Sequence, residues 1–230
     1  MVQISGRTAL VTGGQRGLGA AFAAELLEQG AERVYVTARN PQPTSDPRLV
    51  PLELDVTSPE SVAKLVDAVG DVSIVFNNAG TSAPLGTLDT PVDVMKDLFE
   101  TNVWGAVCVA QAFAPVLTAH EQSALVDVHS ALSWLAGFGA YGASKAAFWS
   151  FTNSLRAELA PKGVQVLGVH LGYADTDLIA ELDVPKISPE FVAQRVIGAL
   201  KAGDDEVLVD DTSVWAKSKL AGPVAELRGH

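Results

Sequence analysis

Tyr141 and Lys145 stand four residues apart in the segment Tyr-Gly-Ala-Ser-Lys, residues 141–145. On a helix, two side chains at this spacing lie on one face, where a phenol and an ammonium can act together. A free tyrosine has a pKa of about 10, and a neighbouring positive charge favours the phenolate and lowers that pKa. The pair is therefore a candidate general acid and base for moving a proton on or off an alcohol or carbonyl oxygen. A packed tyrosine beside a solvated lysine would show the same spacing, so the rest of the chain has to decide.

The composition predicts one globular domain over residues 1–230 and an acidic protein. Hydrophobic residues make up 48% of the chain and charged residues 19%. Sixteen Lys and Arg stand against 27 Asp and Glu, which gives a net charge of −11. Nucleic acids and anionic membranes both favour a basic face, so we predict neither as a partner. We also expect no stretch that is apolar for long enough to span a bilayer.

The cysteine and histidine content favours a cytoplasmic protein without a catalytic metal. Cys108 is the only cysteine, and the apolar run around it predicts a buried, inert thiol. The first strand is predicted almost at the N-terminus, which leaves no room for a signal peptide. His120 and His170 are isolated in the sequence, and no cluster of His, Cys and Asp has metal-ligand spacing.

Short apolar runs alternate with segments of helical periodicity along the chain. The runs are continuous rather than alternating, which is typical of strands buried on both faces. We predict strands over Thr8–Thr12, Arg33–Ala38, Val50–Asp55, Val72–Asn77, Ala124–Val128, Val164–Leu171 and Glu206–Val209. We predict helices over Leu18–Gln29, Pro59–Val69, Val92–Leu117, Tyr141–Ala160 and Pro189–Ala202, with a short helix around Trp215–Leu220.

This order of elements predicts an α/β fold with a doubly wound, seven-stranded, mostly parallel sheet and helices on both faces. The polar segment at about 174–188 is predicted as a loop beside the substrate. In such a sheet, ligands bind beyond the carboxyl ends of the strands, near the point where the strand order reverses. Candidate residues should therefore follow strands directly.

The first strand is followed by a glycine-rich turn, Thr-Gly-Gly-Gln-Arg-Gly-Leu-Gly, residues 12–19. Gly13, Gly17 and Gly19 allow a tight turn, and the next helix would present free N–H groups to a phosphate. The spacing is not G-x-G-x-x-G, and the Gly-Lys-Ser/Thr ending of a nucleotide-triphosphate loop is missing. The position between strand and helix favours dinucleotide binding over a plain glycine turn.

The end of the second strand predicts NADP(H) rather than NAD(H) as the preferred cofactor. A fold that selects NAD usually has an acidic residue here, whereas a basic residue accommodates a 2′-phosphate. Arg39 occupies this place, and Arg16 in the glycine turn could reach the same phosphate. Asp55, at the end of the third strand, could meet the adenine amino group.

Taken together, these motifs resemble the short-chain dehydrogenase/reductase family over nearly the whole chain. The matching elements, in order, are Thr12–Gly19, Asp55, Asn77–Gly80, Asn102–Gly105, Ser130, Tyr141–Lys145 and Leu171–Thr176. The resemblance implies a Rossmann fold and an NADPH-dependent carbonyl reductase or alcohol dehydrogenase. It implies that the substrate is a small-molecule carbonyl or alcohol and that the protein is a homodimer or homotetramer.

The resemblance also implies a role for each matching residue. Tyr141 would exchange a proton with the substrate oxygen, and Ser130 would hydrogen-bond that oxygen. Lys145 would lower the Tyr141 pKa and hold the nicotinamide ribose, while Asn102 would anchor a water that relays protons. The implied cofactor site comprises Gly13, Gln15, Arg16, Gly17, Leu18, Gly19, Arg39, Asp55, Val56, Asn78, Ala79, Gly80, Tyr141, Lys145, Gly172 and Thr176.

The chain departs from the family pattern around the predicted serine. Ser130 lies eleven residues before Tyr141, a slightly shorter interval than the family usually has, and Ser133 competes for its role. His129 stands where the family often has another serine, and we assign it no catalysis. The family's Pro-Gly after the sixth strand is Leu171-Gly172 here.

Trp134, Phe138 and Tyr173 are candidate walls of the substrate pocket, which favours a hydrophobic or aromatic substrate.

Two other functions remain open. One is a regulatory protein that binds NADP(H) on the same fold without turnover. The other is an epimerase or dehydratase, for which the chain has little room after Thr176.

Overall fold

A computed structural model of the protein describes residues 2–82 and 86–228. Its centre is one seven-stranded sheet with strand order β3-β2-β1-β4-β5-β6-β7, and all of the described pairs are parallel. The strands are β1 Thr8–Val11, β2 Arg33–Ala38, β3 Leu49–Glu53, β4 Ile74–Asn77, β5 Ser123–Val128, β6 Val164–His170 and β7 Glu206–Leu208. The order reverses between β1 and β4, which is where a doubly wound sheet binds its ligand. The predicted fold class is confirmed.

Helices cover both faces of this sheet. They are α1 Gly17–Glu28, α2 Pro59–Ala68, α3 Val92–Phe99, α4 Ala106–Thr118, α5 Gly139–Leu159, α6 Pro189–Ala202 and α7 Asp211–Lys219. The hydroxyls of Ser58 and Ser188 accept hydrogen bonds from the backbone at the starts of α2 and α6, as their Ser-Pro sequences indicate. The last helix begins earlier than predicted because Asp210 and Ser213 cap each other in a capping box.

The predicted helix Val92–Leu117 is wrong in one respect, since a π-helical turn over Glu100–Gly105 separates α3 from α4. A π turn inserts one extra residue into the helical path and occurs mostly at functional sites. The turn in this chain carries Asn102, a candidate site residue, and its side chain is buried.

Side chains alternate between the two faces of each strand and fill two separate cores. Phe22 of α1 and Phe76 of β4 lie in the core beneath α1 and α6, with ring centroids 5.1 Å apart. Leu10, Phe113 and Leu125 lie in the core on the opposite face. Both faces need apolar residues, which explains why the strands appear in the sequence as continuous apolar runs.

One helix is long and apolar enough to span a membrane when only its length and composition are considered. The expectation that no stretch meets these two criteria is therefore wrong. The continuous helical run Val92–Thr118 has 27 residues, and an 18-residue window within it has a mean hydropathy of 1.2. Leu98, Val103, Phe113 and Leu117 of this run are buried in the protein. The run therefore contributes its apolar face to the core of the α/β fold.

Two histidines lie side by side at the carboxyl ends of β5 and β6. His129 and His170 are almost fully buried, and their ring centroids are 4.9 Å apart. Both ring nitrogens of His129 lack a hydrogen-bond partner among the residues that the structure describes. Burial, followed by the nearby His170 and Lys145, holds the pKa of His129 well below 6.5. The folded protein therefore keeps this imidazole neutral.

We predict that His129 makes the protein sensitive to acid. Below pH 6.5 the unfolded chain binds a proton that the folded site excludes, so the stabilisation present above pH 6.5 is lost as the pH falls. The loss from this residue is about 1.4 kcal/mol per pH unit. His129→Leu should reduce the slope of unfolding free energy against pH by about that amount in urea titrations at pH 5–7. His120→Gln, which replaces a half-buried histidine outside this cluster, is the control. An unchanged slope in His129→Leu would contradict the prediction.

Candidate active site

Ser130 and Tyr141 come together at the carboxyl end of β5. Ser130 caps a 3₁₀ turn over Ala131–Ser133, and its hydroxyl accepts a hydrogen bond from the Leu132 N–H at 3.1 Å. The Ser130 and Tyr141 side chains are joined by a hydrogen bond. A Cβ at Gly142 would lie 2.9 Å from the Leu132 carbonyl oxygen. This glycine therefore lets the first turn of α5 pack closely against the turn that carries Ser130.

Burial decides the protonation of both members of the Tyr141–Lys145 pair. It raises the pKa of Tyr141 from 10.0 to about 12, although the Ser130 hydrogen bond acts in the opposite direction. It lowers the pKa of Lys145 to about 8, against the attraction of Asp127. The Lys145 ammonium donates to the Val128 carbonyl oxygen at 2.9 Å. At neutral pH the phenol is protonated and the lysine is mostly charged, and the predicted lowering of the phenol pKa by Lys145 stays a prediction.

Asn102 reaches the same place from the π turn. Its amide nitrogen donates to the Thr81 carbonyl at 2.9 Å and to the Ser144 hydroxyl at 3.1 Å, and its oxygen accepts from the Thr81 N–H at 2.8 Å. Gly80 lies between the two halves of the site, because a Cβ there would be 3.2 Å from Asn102 Oδ1 and 3.6 Å from Lys145 Nζ. Asn102 and Lys145 therefore face the end of β4 from opposite sides of Gly80.

The Thr12 hydroxyl joins the ends of β1 and β4. It accepts hydrogen bonds from the N–H groups of Asn78 and Ala79, both at 3.0 Å, and donates to the Phe76 carbonyl at 3.1 Å. The Asn78 side chain donates in turn to the Thr12 carbonyl at 2.9 Å. Both predicted loops are thereby fixed at the point where the strand order reverses.

Two glycines of the turn lie where no side chain would fit. A Cβ at Gly19 would lie 2.2 Å from the Gly13 carbonyl oxygen, and one at Gly14 would lie 2.8 Å from the Val11 carbonyl oxygen. Gly13 and Gly17 have φ of +62° and +52°, which glycine adopts readily. Helix α1 begins at Gly17 with no acidic residue in its first turn, so its free N–H groups can meet an anion.

Arg16 and Arg39 fit a phosphate at this turn. Both side chains are exposed, and no Asp or Glu in residues 2–82 or 86–228 lies within 4.0 Å of either guanidinium. The charge of Arg39 contributes to a lowered pKa of Asp55, after hydrogen bonds from Thr57. The residues present therefore fit a dinucleotide with an extra phosphate.

Five of the other residues predicted to contact the cofactor have contacts within the protein. Gln15 exchanges hydrogen bonds with the Gln42 backbone, and the Gly172 N–H donates to Asp210 at 2.8 Å. Leu18 packs on one core and Val56 on the other. Thr176 lies against the glycine turn, 3.2 Å from where a Cβ of Gly17 would be. Their contacts with a cofactor stay predictions.

The predicted pocket walls lie in different surroundings. Trp134 is buried and stacks on His170 with ring centroids 4.0 Å apart, while Lys217 of α7 lies 5.1 Å over its ring. Phe138 and Tyr173 are half-buried, and the Tyr173 phenol contributes to the raised pKa of Tyr141. Tyr173 is thus the wall residue that the structure relates to Tyr141.

The remaining predicted features near the site are the loop after β6 and Ser133. The predicted loop at 174–188 is closed at its base by hydrogen bonds between Asp175 and Ile187 and between Ile187 and Tyr173, each at 2.9 Å. The Ser133 hydroxyl is buried and has no hydrogen-bond partner in the described part of the chain. Across the described ranges, no group of three or more His, Cys, Asp or Glu side chains could hold a metal ion.

Three polar residues that support the site were missing from the predicted set. Thr12 could have been noticed as a hydroxyl at the end of the first strand. Ser144 lies inside the Tyr141–Lys145 motif, where its hydroxyl links Asn102 to the Tyr141 carbonyl. Asp127 carried a signal as well, since it is a carboxylate within an apolar strand.

Comparisons with known proteins identify the family. The family model for short chain dehydrogenases matches residues 7–186. A short-chain dehydrogenase/reductase of Pestalotiopsis microspora is 36% identical over 177 residues, which cover 75% of this chain and 61% of that relative. The 1-deoxy-11-beta-hydroxypentalenate dehydrogenase of Streptomyces exfoliatus is 34% identical over 84% of this chain and 79% of its own. The chain belongs to the short-chain dehydrogenase family.

A solved structure shows the same fold. A short chain dehydrogenase from Burkholderia cenocepacia, in complex with NADP, superimposes with a TM-score of 0.90 at 36% identity. The match covers 95% of this chain and 94% of that one. The protein is thus a member of an oxidoreductase family and has a Rossmann-like fold.

We predict that Gly19→Ala disrupts the glycine turn. The new methyl group would collide with the Gly13 carbonyl, so the loop must shift, at a cost of more than about 2 kcal/mol. Gly198→Ala is the matched control, because it lies inside α6 with nothing within 4 Å of the new Cβ and should gain up to about 1 kcal/mol. Chemical denaturation of both variants tests the difference. Equal stability in the two variants would contradict the prediction.

Proposed function

We propose that the protein is an NADPH-dependent oxidoreductase, a carbonyl reductase or alcohol dehydrogenase. It would move a hydride between nicotinamide and a ketone, an aldehyde or a secondary alcohol, with Tyr141 as general acid and base. The observation that carries the proposal is the hydrogen-bonded Ser130–Tyr141 pair at the carboxyl edge of the sheet, with Lys145 four residues further along α5. Membership of the short-chain dehydrogenase family supports the reaction class.

In the reductive direction, the protonated phenol of Tyr141 gives its proton to the substrate oxygen as the carbonyl carbon becomes an alcohol carbon. The Ser130 hydroxyl hydrogen-bonds the same oxygen and stabilises the negative charge that develops there. Bound nicotinamide supplies the hydride in this direction and takes it up in the other. Lys145 and Asn102 would relay the proton that Tyr141 regains.

The glycine turn, the start of α1 and the two arginines would hold the cofactor. The α1 N-terminus offers N–H groups to the pyrophosphate. Arg16 and Arg39 offer two exposed guanidinium groups to the 2′-phosphate of NADP(H). The Burkholderia cenocepacia relative, which is in complex with NADP, supports this preference.

Tyr141→Phe should abolish turnover while NADPH still binds. Loss of the proton donor is expected to lower kcat by at least about 100-fold. The measurement is the loss of NADPH absorbance with a panel of aldehydes, ketones and diketones, beside NADPH binding by fluorescence. Tyr35→Phe makes the same chemical change at the amino end of the sheet, near Arg33 and Asp71, and should remain active.

Two results would speak against the proposal. Full activity of Tyr141→Phe would remove Tyr141 from the mechanism. NADPH binding without turnover by the unchanged protein, across the whole panel, would instead favour a regulatory protein that binds NADP(H).

Arg39→Asp should lose the preference for NADPH over NADH. Losing a charge-assisted contact with the 2′-phosphate and adding a negative charge should lower the ratio of kcat/KM values by about 10- to 100-fold. Arg48→Asp makes the same charge change in the same exposed loop, where Arg48 pairs with Asp46, and should leave the ratio unchanged. An unaltered ratio in Arg39→Asp would show that another residue selects the cofactor.

The same proposal covers the subunit assembly of the protein, its location and its substrate. Trp104 and Phe151 are partly exposed and contact each other edge to face on the outer side of the π turn and α5. Exposed aromatic rings are typical of subunit interfaces, which supports the homodimer or homotetramer. A cytoplasmic location and a hydrophobic or aromatic carbonyl substrate complete the proposal.

A further inference from the structure

Asp127, near the end of β5, is the only buried Asp or Glu in the described part of the chain. Its side chain is inaccessible to solvent, at 0% exposure. A buried carboxylate without compensation costs several kcal/mol, so its position requires an explanation. The residue has none of the catalytic or cofactor-binding roles assigned above.

Hydrogen bonds from uncharged side chains hold this carboxyl group in place. Asn77 donates to Asp127 Oδ1 at 3.1 Å and also to the Ala106 carbonyl at 3.0 Å. The Thr152 hydroxyl lies 2.7 Å from Asp127 Oδ2 and 3.1 Å from the Phe148 carbonyl. A hydroxyl has one proton to donate, so Thr152 can donate to an ionised carboxylate or accept from a protonated one. The site therefore accommodates both protonation states of Asp127.

The groups that could carry a positive charge near Asp127 lie on α5, β5 and β6. Arg156 of α5 is bound to the carbonyl oxygens of Val166 and Asp205, at 3.0 and 2.8 Å. Burial holds the pKa of His129, and that of His170 on β6, below the ordinary value. Strand β4 and helix α4 contribute the neutral Asn77 and the Ala106 carbonyl. The charges of Arg156 and Lys145 both favour an ionised Asp127, and that of Arg156 acts more strongly.

No Asp or Glu of residues 2–82 or 86–228 lies within 4.0 Å of the Lys145 ammonium. Among the described residues its hydrogen bond goes to the Val128 carbonyl, next to Asp127 in the chain. The attraction of Asp127 opposes the effect of burial on the Lys145 pKa. The Lys145 charge in turn opposes the raising of the Asp127 pKa, which burial brings to about 6.

We propose that Asp127 is a positioning residue whose buried carboxylate is the counter-charge that keeps Lys145 an ammonium. The part of this inference that concerns catalysis rests on the proposed function. Between about pH 6 and pH 8 Asp127 is mostly ionised and Lys145 mostly protonated. Within this window Lys145 can serve as the charged partner of Tyr141.

Asp127→Asn tests the inference through the titration of Lys145 itself. The pKa of Lys145, followed by the NMR shift of its ¹³Cε atom, should fall by at least about half a pH unit, a threefold change in the ratio of neutral to charged lysine. The Lys145→Met variant assigns the signal. Asp71→Asn makes the same charge change at the amino end of the sheet, where Asp71 is exposed, and should leave the titration unchanged. An unchanged Lys145 pKa in folded Asp127→Asn would overturn the inference.

The reverse experiment covers the case in which Asp127→Asn does not fold. In Lys145→Met the carboxyl group remains and its charged partner is gone, so the pKa of Asp127 should rise by a similar amount, because linkage between two sites is reciprocal. The ¹³Cγ signal of Asp127 reports it. The same Asp127 titration with and without Lys145 would overturn the inference. Neither titration requires turnover, so failure of the NADPH assay would contradict the proposed function alone.

If the protein turns over NADPH, the pH profile of kcat/KM provides a further readout. Asp127→Asn should bring the alkaline loss of activity to lower pH, by the shift that the Lys145 titration shows. A uniform fall in kcat/KM at every pH, without a displaced limb, would instead assign Asp127 a purely structural role and overturn the inference.

Discussion

Burial of the sheet on both faces is the constraint that determines where this protein can place polar chemistry. Strands β1 to β6 contribute apolar side chains to two cores, so a polar group inside one of these strands requires a partner for every hydrogen bond. At the carboxyl ends of the strands the constraint relaxes, because the backbone turns away from the sheet. Thr12, Ser130 and Gly80 all stand at this edge, and the reversal of strand order between β1 and β4 opens a crevice beside them. The chemistry of the site follows from the topology of the sheet.

Burying a charge at this edge of the sheet costs free energy, and neighbouring groups reduce that cost. A lysine as deeply buried as Lys145 would lose much of its tendency to hold a proton. The Val128 carbonyl and the Asp127 charge oppose that loss. Asp127 is held by Asn77 and Thr152, from β4 and α5. The protonation of Lys145 thus depends on residues from three elements, only one of which carries the Tyr141–Lys145 motif.

The sequence was sufficient for the order of elements, because strand burial and helix periodicity are local signals. Strand β2 and helix α6 lie within the predicted bounds, and Ser58 and Ser188 cap helices as their Ser-Pro sequences indicate. The π turn at Glu100–Gly105 was missed because one extra residue in a helical turn leaves the apolar periodicity almost intact. The surroundings of Trp134 depend on α7 and β6, which lie far away in the chain. The raised pKa of Tyr141 was missed for a related reason, since spacing along a helix indicates which charge is near but not how much water is excluded.

The balance of protonation states bears on the direction of the proposed reaction. A phenol with a pKa of about 12 is fully protonated at neutral pH and has a proton to donate, although it is a weaker acid than a free tyrosine. With a pKa of about 8, Lys145 is about ten times more often charged than neutral at pH 7, so it can return a proton towards Tyr141. In the opposite direction, the phenolate would first have to form in a site whose burial disfavours it. A bound ligand that brought the Lys145 ammonium closer to the phenol would lower this barrier. The proposed reduction of a carbonyl uses the protonated phenol that this structure holds. The proposed oxidation of an alcohol uses the phenolate, and the charge of Lys145 would stabilise it only if redirected from the Val128 carbonyl towards Tyr141.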